Sequence, residues 1–238
     1  VTGSPTSTLL RNVRAVLPER VSEKTDLLIQ DGLIRHVFDS HANNFSPADS
    51  TLDLEGLTLY PGFIDVHIHG AVGVDTMEAD AQDLDRVSQF LATRGVTGWL
   101  PTLVPAPPAD YKRAIGVIAE AMKEQAGCLR SQGARILGVH YEGPFVNSAQ
   151  CGALRGKHFK TYSGPGDLED LPLPISRDAA RMITLAPEVA GGVELVRELK
   201  RRGWIVSIGH TRAGFELLDQ AFGAGARHMT HFMNAMAP

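Results

Sequence analysis

Five residues of this 238-residue chain have types and spacing that could do chemistry together: His67, His69, Glu142, His210 and His231. Each closes an apolar, strand-like run, PGFIDVHIHG at 61–70, VHYEGP at 139–144, SIGH at 207–210 and THFMNAM at 230–236. Residues two apart in an extended strand leave the same face, so the imidazoles of His67 and His69 can converge on one cation. Neutral imidazoles with a carboxylate suit a divalent zinc or iron ion. One such segment alone is equally at home in ordinary packing. Their recurrence is what counts, because the active-site residues of a parallel βα barrel come from the carboxyl ends of several strands. A divalent ion held this way lowers the pKa of water towards about 7 and polarises a carbonyl oxygen, which makes amide or ester hydrolysis the natural reaction. That reaction needs a further group to take and return a proton, and no Asp follows Asp219 in the chain.

The remaining candidates read differently. His140 shares the face of Glu142 one layer deeper, which suits support or packing more than ligation. His228, three before His231, points to the opposite strand face and reads as structural. Asp65 shares the face of His67 and His69 and is expected to orient a ligand histidine by hydrogen bonding. His36, His41 and His158 lie in polar contexts without partner spacing. Cys128 and Cys151 are far apart and lack CxxC spacing, which points to reduced thiols of a cytoplasmic protein. Cys151 is near enough to Glu142 to be considered as a nucleophile, but a packed or loop thiol is the preferred reading. HExxH, GxSxG and GxxxxGK[ST] are all absent, so zincin, serine hydrolase and P-loop chemistry lose their usual support.

The elements that must position these groups follow from periodicity. Residues 8–38 form short apolar runs around a turn at Gln30-Asp31-Gly32, a small β module assigned to residues 1–58. From 59 to 238 the pattern becomes strand then helix: strands at 63–69, 97–103, 136–142, 182–186, 204–209 and 228–233, helices near 81–94, 109–125, 192–202 and 213–222. Helical stripes such as Leu84, Val87, Leu91 and Ile115, Ile118, Met122 mark the buried faces, with Gly95 and Gly203 as stops. Alternation of this kind predicts an α/β fold with a parallel sheet, here a (β/α)8 TIM-type barrel. A full barrel takes about 250 residues, whereas six rounds are visible, so two rounds are expected outside this chain, which also begins with Val. The long stretch 145–181, with Arg155, Lys157, His158 and Lys160, is either a substrate loop on the catalytic face or a solvated basic loop.

Composition narrows the class. With 43% hydrophobic and 21% charged residues and a net charge of −4, the chain is globular, and its basic residues are dispersed apart from KRR at 200–202. No phosphate-tracking surface for nucleic acid is implied. No run of 18 apolar residues exists and the first 20 residues make no signal peptide, so a membrane partner is not expected.

PGFIDVHIHG, GVTGWLPTL, ILGVHYEGPFVN, ITLAPE, IGHT and THFMNAM, in this order, resemble the N-acetylglucosamine-6-phosphate deacetylases of the amidohydrolase superfamily, and the resemblance covers nearly the whole chain. It implies a metal-bearing (β/α)8 barrel with a small β-sandwich built from both chain ends. It further implies that Glu142, His210 and His231 bind the principal metal, zinc ahead of iron, with His67 and His69 free to hold a second ion. Asn234 and Ala235 would contact substrate, Gly152 and Ala153 would line the sugar pocket, and the protein would be a cytoplasmic homodimer acting on a small amino-sugar phosphate. Two departures stand out. Leu154 occupies a position where the family usually has histidine, and the family's catalytic Asp falls beyond Pro238. The leading expectation is therefore deacetylation of N-acetylglucosamine 6-phosphate. The rivals are an amidohydrolase for another N-acyl sugar or amino compound, and a metal-binding chain that lacks its catalytic Asp.

Overall fold

The computed structural model describes residues 7–39, 48–127, 133–173 and 178–236. Cys128 and His41 lie outside them. The chain divides into two compact units, Val1–Gly62 and Phe63–Pro238.

The first unit is one mixed sheet among the described residues. Its strands are β1 (Ser7–Val16), β2 (Val21–Gln30), β3 (Leu33–Asp39), β4 (Ser50–Asp53) and β5 (Thr58–Leu59). They run in the order β3-β2-β1-β4, with β5 also on β1. The β2–β3 hairpin closes through Asp31 and Gly32, both with positive φ, as a two-residue turn matching the twist of its strands requires. Leu10, Val13, Ala15 and Leu27 form its small core. A second facing layer, as a sandwich would have, is not among the described residues. β5 belongs here because it pairs with β1, which places the unit boundary after Gly62.

The second unit carries β6 (Phe63–Ile68), α1 (Ala81–Ala92), β7 (Val96–Leu103), α2 (Pro108–Gly127), β8 (Arg135–Ile136), β9 (Gly138–Glu142), β10 (Ala180–Leu185), α3 (Gly192–Arg201), β11 (Ile205–Ile208), α4 (Phe215–Ala224) and β12 (His228–Met229). The main sheet runs β12-β11-β10-β9-β7-β6, with β8 beside β7, and every pairing is parallel. Because sequence neighbours are also spatial neighbours and the order never reverses, this is a curled, barrel-type sheet and not a doubly wound one. Leu84, Val87 and Leu91 of α1 and Ile115 and Ile118 of α2 pack into one continuous core with Trp99, Tyr141, Ile183 and Leu185. Helix α1 starts at a reciprocal cap: Asp80 accepts from the Asp83 amide at 2.8 Å and Asp83 accepts from the Asp80 amide at 3.2 Å.

Two expected strands come out differently. The strand at 136–142 is broken at Leu137, since Gly138 takes a φ of +153° and a Cβ there would sit 2.0 Å from the Ala180 carbonyl oxygen. The strand at 228–233 ends at Met229, because His231, Met233 and Ala235 all have positive φ and coil the chain out of the ladder. No helix among the described residues is long and apolar enough to cross a membrane.

Candidate metal centre

All five predicted residues converge at one rim of the curled sheet. His67 is the penultimate residue of β6 with His69 just beyond its end, Glu142 closes β9, and His210 and His231 follow β11 and β12. Parallel strands in consecutive order put their carboxyl ends at the same edge, which is why groups so distant in sequence meet. The backbone enters the left-handed region at two of the five positions, His210 and His231, with φ of +50° and +34°, and Gly70, next to His69, has φ of +130° where a Cβ would strike the Val74 carbonyl oxygen at 2.0 Å.

Glu142, 3% exposed, is the hub. Its Oε1 lies 2.9 Å from His210 Nε2, 3.1 Å from His231 Nε2 and 3.3 Å from His67 Nε2, and its Oε2 lies 3.2 Å from His69 Nε2. The far nitrogens decide what these contacts are. His210 Nδ1 is 2.8 Å from the Gln150 carbonyl and His231 Nδ1 is 2.9 Å from the Asn234 carbonyl. A carbonyl only accepts, so Nδ1 carries the proton in both rings and each neutral Nε2 presents a lone pair. Those two Nε2 atoms are 3.2 Å from one another and both face the carboxylate. Three lone-pair atoms without a proton between them repel, and protonating both rings would set two positive charges side by side. A cation at that point resolves the conflict. The ligand atoms of His67, Glu142 and His231 lie within 4.8 Å of one another, and buried His67 Nδ1 has no hydrogen-bond partner. The donor set, nitrogen with one carboxylate, fits a zinc or iron ion.

Electrostatics agree. Burial works against ionisation of Glu142, whereas an imidazole proton of His69 on its Oε2 favours the carboxylate. Hydrogen bonding to Glu142 raises His69, while burial lowers His67. His140, fully buried, is pushed down to about 3 by burial and then by neighbouring His67. Both its nitrogens are engaged, Nδ1 with the Val66 carbonyl and Nε2 with Thr184 Oγ1, each at 2.7 Å, so it supports the site and does not join the hub. Asp65 accepts from the His67 backbone amide at 3.1 Å, so it fixes the strand and not an imidazole. His228 turns to Ser207 Oγ at 3.0 Å.

A cavity of about 580 Å³ opens over the hub, lined by His67, His69, Glu142, His210 and His231. Ala153 and Leu154 line the same cavity, as do Arg155, Lys157 and His158 from the 145–181 stretch. Lys160 turns away into an ion pair with Asp170. Gly152, Asn234 and Ala235 line a second, more open depression that shares only His231 with the first. The predicted substrate contacts thus fall in two adjoining hollows. Cys151 lines the second, and Asn234 serves His231 through its carbonyl. Side-chain pattern does not mark the Gln150 and Asn234 carbonyls, Thr102, whose Oγ1 accepts from the Ile68 amide, or Glu188, whose carboxylate accepts from Asn147 Nδ2, Thr211 Oγ1 and the Arg212 amide and ties three loops together.

No protein-family model matches the chain. Curated relatives do. The chain is 36% identical over 241 residues to an N-acetylglucosamine-6-phosphate deacetylase of Bacillus subtilis, covering 98% of this chain and 57% of the relative. It is 32% identical over 230 residues to an N-acetylgalactosamine-6-phosphate deacetylase of Escherichia coli O157:H7, covering 96% and 57%. Among solved structures, the N-acetylglucosamine-6-phosphate deacetylase of Pasteurella multocida superposes with a TM-score of 0.81 at 26% identity, covering 98% of this chain and 58% of that one. The chain thus spans little more than half the length of these relatives.

Proposed function

We propose that the chain belongs to the N-acetylglucosamine-6-phosphate deacetylases to which it is similar, and that its protein hydrolyses the acetamide of N-acetylglucosamine 6-phosphate to glucosamine 6-phosphate and acetate. The observation that carries this reading is the convergence of four Nε2 atoms on Glu142, two of them with lone pairs aimed at its Oε1. Glu142, His210 and His231 would hold the principal divalent cation, zinc ahead of iron, and His67 and His69 a further one. Such a cation, when bound, polarises a carbonyl oxygen and acidifies water.

The protein's own groups do the rest. The Gln150 and Asn234 carbonyls keep the Nε2 atoms of His210 and His231 free of protons. Arg155 and Lys157 line the cavity over the hub together with Asp75, Glu78 and Asp110, and are among the cations there with which a phosphomonoester would pair. Gly152, Ala153, Asn234 and Ala235 would contact the sugar and its acyl group. Proton transfer to the departing amine is assigned to an Asp outside residues 1–238. The protein would act in the cytoplasm as a homodimer.

A second reading rests on Leu154. Its apolar side chain lines the cavity over the hub, where a hydroxyl-rich sugar would prefer a hydrogen-bonding group, which favours a different N-acyl sugar or amino compound. Acetate release by the full-length protein from N-acetylglucosamine 6-phosphate, its galactosamine epimer and the unphosphorylated sugars tests both. The first substrate should be turned over fastest, with activity lost in Glu142→Ala. Equal rates with and without phosphate would overturn the phosphate-specific assignment.

A further inference from the structure

The strand that carries His67 and His69 leaves its ladder where the ligands begin. Asp65 lies opposite Trp99 and Ile68 opposite Pro101, so three steps along β6 match two along β7. This is a bulge spanning Val66 and His67, a device that re-aims side chains but leaves backbone groups without their ladder bonds. Two side chains supply the replacements. The Ile68 amide donates to Thr102 Oγ1 at 2.9 Å, and the Val66 carbonyl accepts from His140 Nδ1 at 2.7 Å. These bonds lie on either side of His67. Thr102 and His140 are themselves register partners between β7 and β9, and both are completely buried.

The Val66 bond also fixes a longer chain of hydrogens. Since a carbonyl only accepts, His140 Nδ1 bears the proton, and in the neutral ring Nε2 must accept. Thr184 therefore donates to His140 at 2.7 Å, Thr230 to Thr184 at 2.6 Å, Ser207 to Thr230 at 2.6 Å, and His228 Nδ1 to Ser207 at 3.0 Å. Thr184, Ser207 and Thr230 are all 1% exposed or less, so no water competes for these hydroxyls.

We propose that Thr102 and His140 are positioning residues that staple the β6 bulge and so aim His67 and His69 at the hub, and that the Thr184–Thr230–Ser207–His228 chain holds His140 in the one tautomer able to do this. The proposal rests on the metal-centre reading of the hub. Its first test needs no substitution. Long-range 1H–15N spectra of the metal-free, full-length protein should show both His140 and His228 protonated at Nδ1, and a His140 protonated at Nε2 would overturn it. The second test measures zinc affinity by chelator competition and the visible spectrum of the cobalt form in Thr102→Val and Thr184→Val, with folding followed by circular dichroism. Affinity should fall about 10–100-fold, the size usual for partners of metal ligands, with a changed cobalt spectrum, and Thr102→Ser and Thr184→Ser should restore both to within about threefold. Folded Val variants with unchanged affinity and spectrum would sink the proposal. Zinc binding that is no tighter in the parent protein than in Glu142→Ala would instead show that the metal reading itself has failed.

Discussion

Glu142 carries three imidazole nitrogens on Oε1 and one on Oε2, so a change that keeps its shape and removes its charge should cost most of the metal. In Glu142→Gln, zinc affinity measured by chelator competition is expected to drop at least about 100-fold, since outer partners alone contribute 10–100-fold. His140 makes a separate prediction. Its folded pKa, about 3, lies below the ordinary histidine value of 6.5, so the folded state binds fewer protons than the unfolded one. The stability this contributes is complete above about pH 6.5 and drains away as pH falls towards 3, on the order of several kcal/mol. Urea titrations of the metal-free protein across that range should show the decline, and it should be shallower in His140→Asn. At this scale the sequence was highly legible: HxH spacing and a ligand at the end of each apolar run led directly to the five residues. What it concealed was the supporting atoms. Backbone carbonyls such as those of Gln150 and Asn234 are common to every residue type, so nothing in the side-chain pattern marks them. Asp65, expected to orient a ligand imidazole, bonds the His67 backbone amide instead, at the edge of the bulge.

Among the elements, four helices and most strands follow their apolar periodicity to within a few residues. The misses share one cause, backbone in the left-handed or extreme region that period-two patterns do not encode. Gly138 breaks the third strand of the sheet, and three positive-φ residues truncate the last. Gly138→Ala should therefore lower stability by about 3 kcal/mol or more, from the strained φ together with the collision with the Ala180 carbonyl, and thermal unfolding would show whether it does. Asp80→Ala, which removes only one half of the α1 cap, should cost about 1 kcal/mol in the same assay. In the 145–181 stretch, the double variant Arg155→Ala with Lys157→Ala is expected to raise KM for a phosphorylated substrate several-fold with kcat little changed. That is the pattern of lost uniform binding, and steady-state kinetics at low and high salt would reveal it.

For the molecule as a whole, the parallel sheet was readable because strands and helices alternate, but its closure and the pairing of the small β module were not, since pairing depends on partners far along the chain. Within the second unit, β9 and β10 are flanked by paired strands on both sides while β12 pairs only with β11 among the described residues. Hydrogen exchange should accordingly be slowest at Val139, Tyr141 and Ile183, all with no exposed surface, and markedly faster around His228 and Met229.

The consecutive strand order has a further consequence for how the protein is made. A ribosome extrudes the chain from its amino end, so His67 and His69 emerge early, Glu142 and His210 later, and His231 last of the five. Intermediates that have not yet released β12 and His231 can offer a cation only a partial grip. On the metal-centre reading, uptake of a divalent cation during biosynthesis would signal that the nascent polypeptide has reached His231, and a cell short of that metal would accumulate chains that carry all five residues but are not yet clasped.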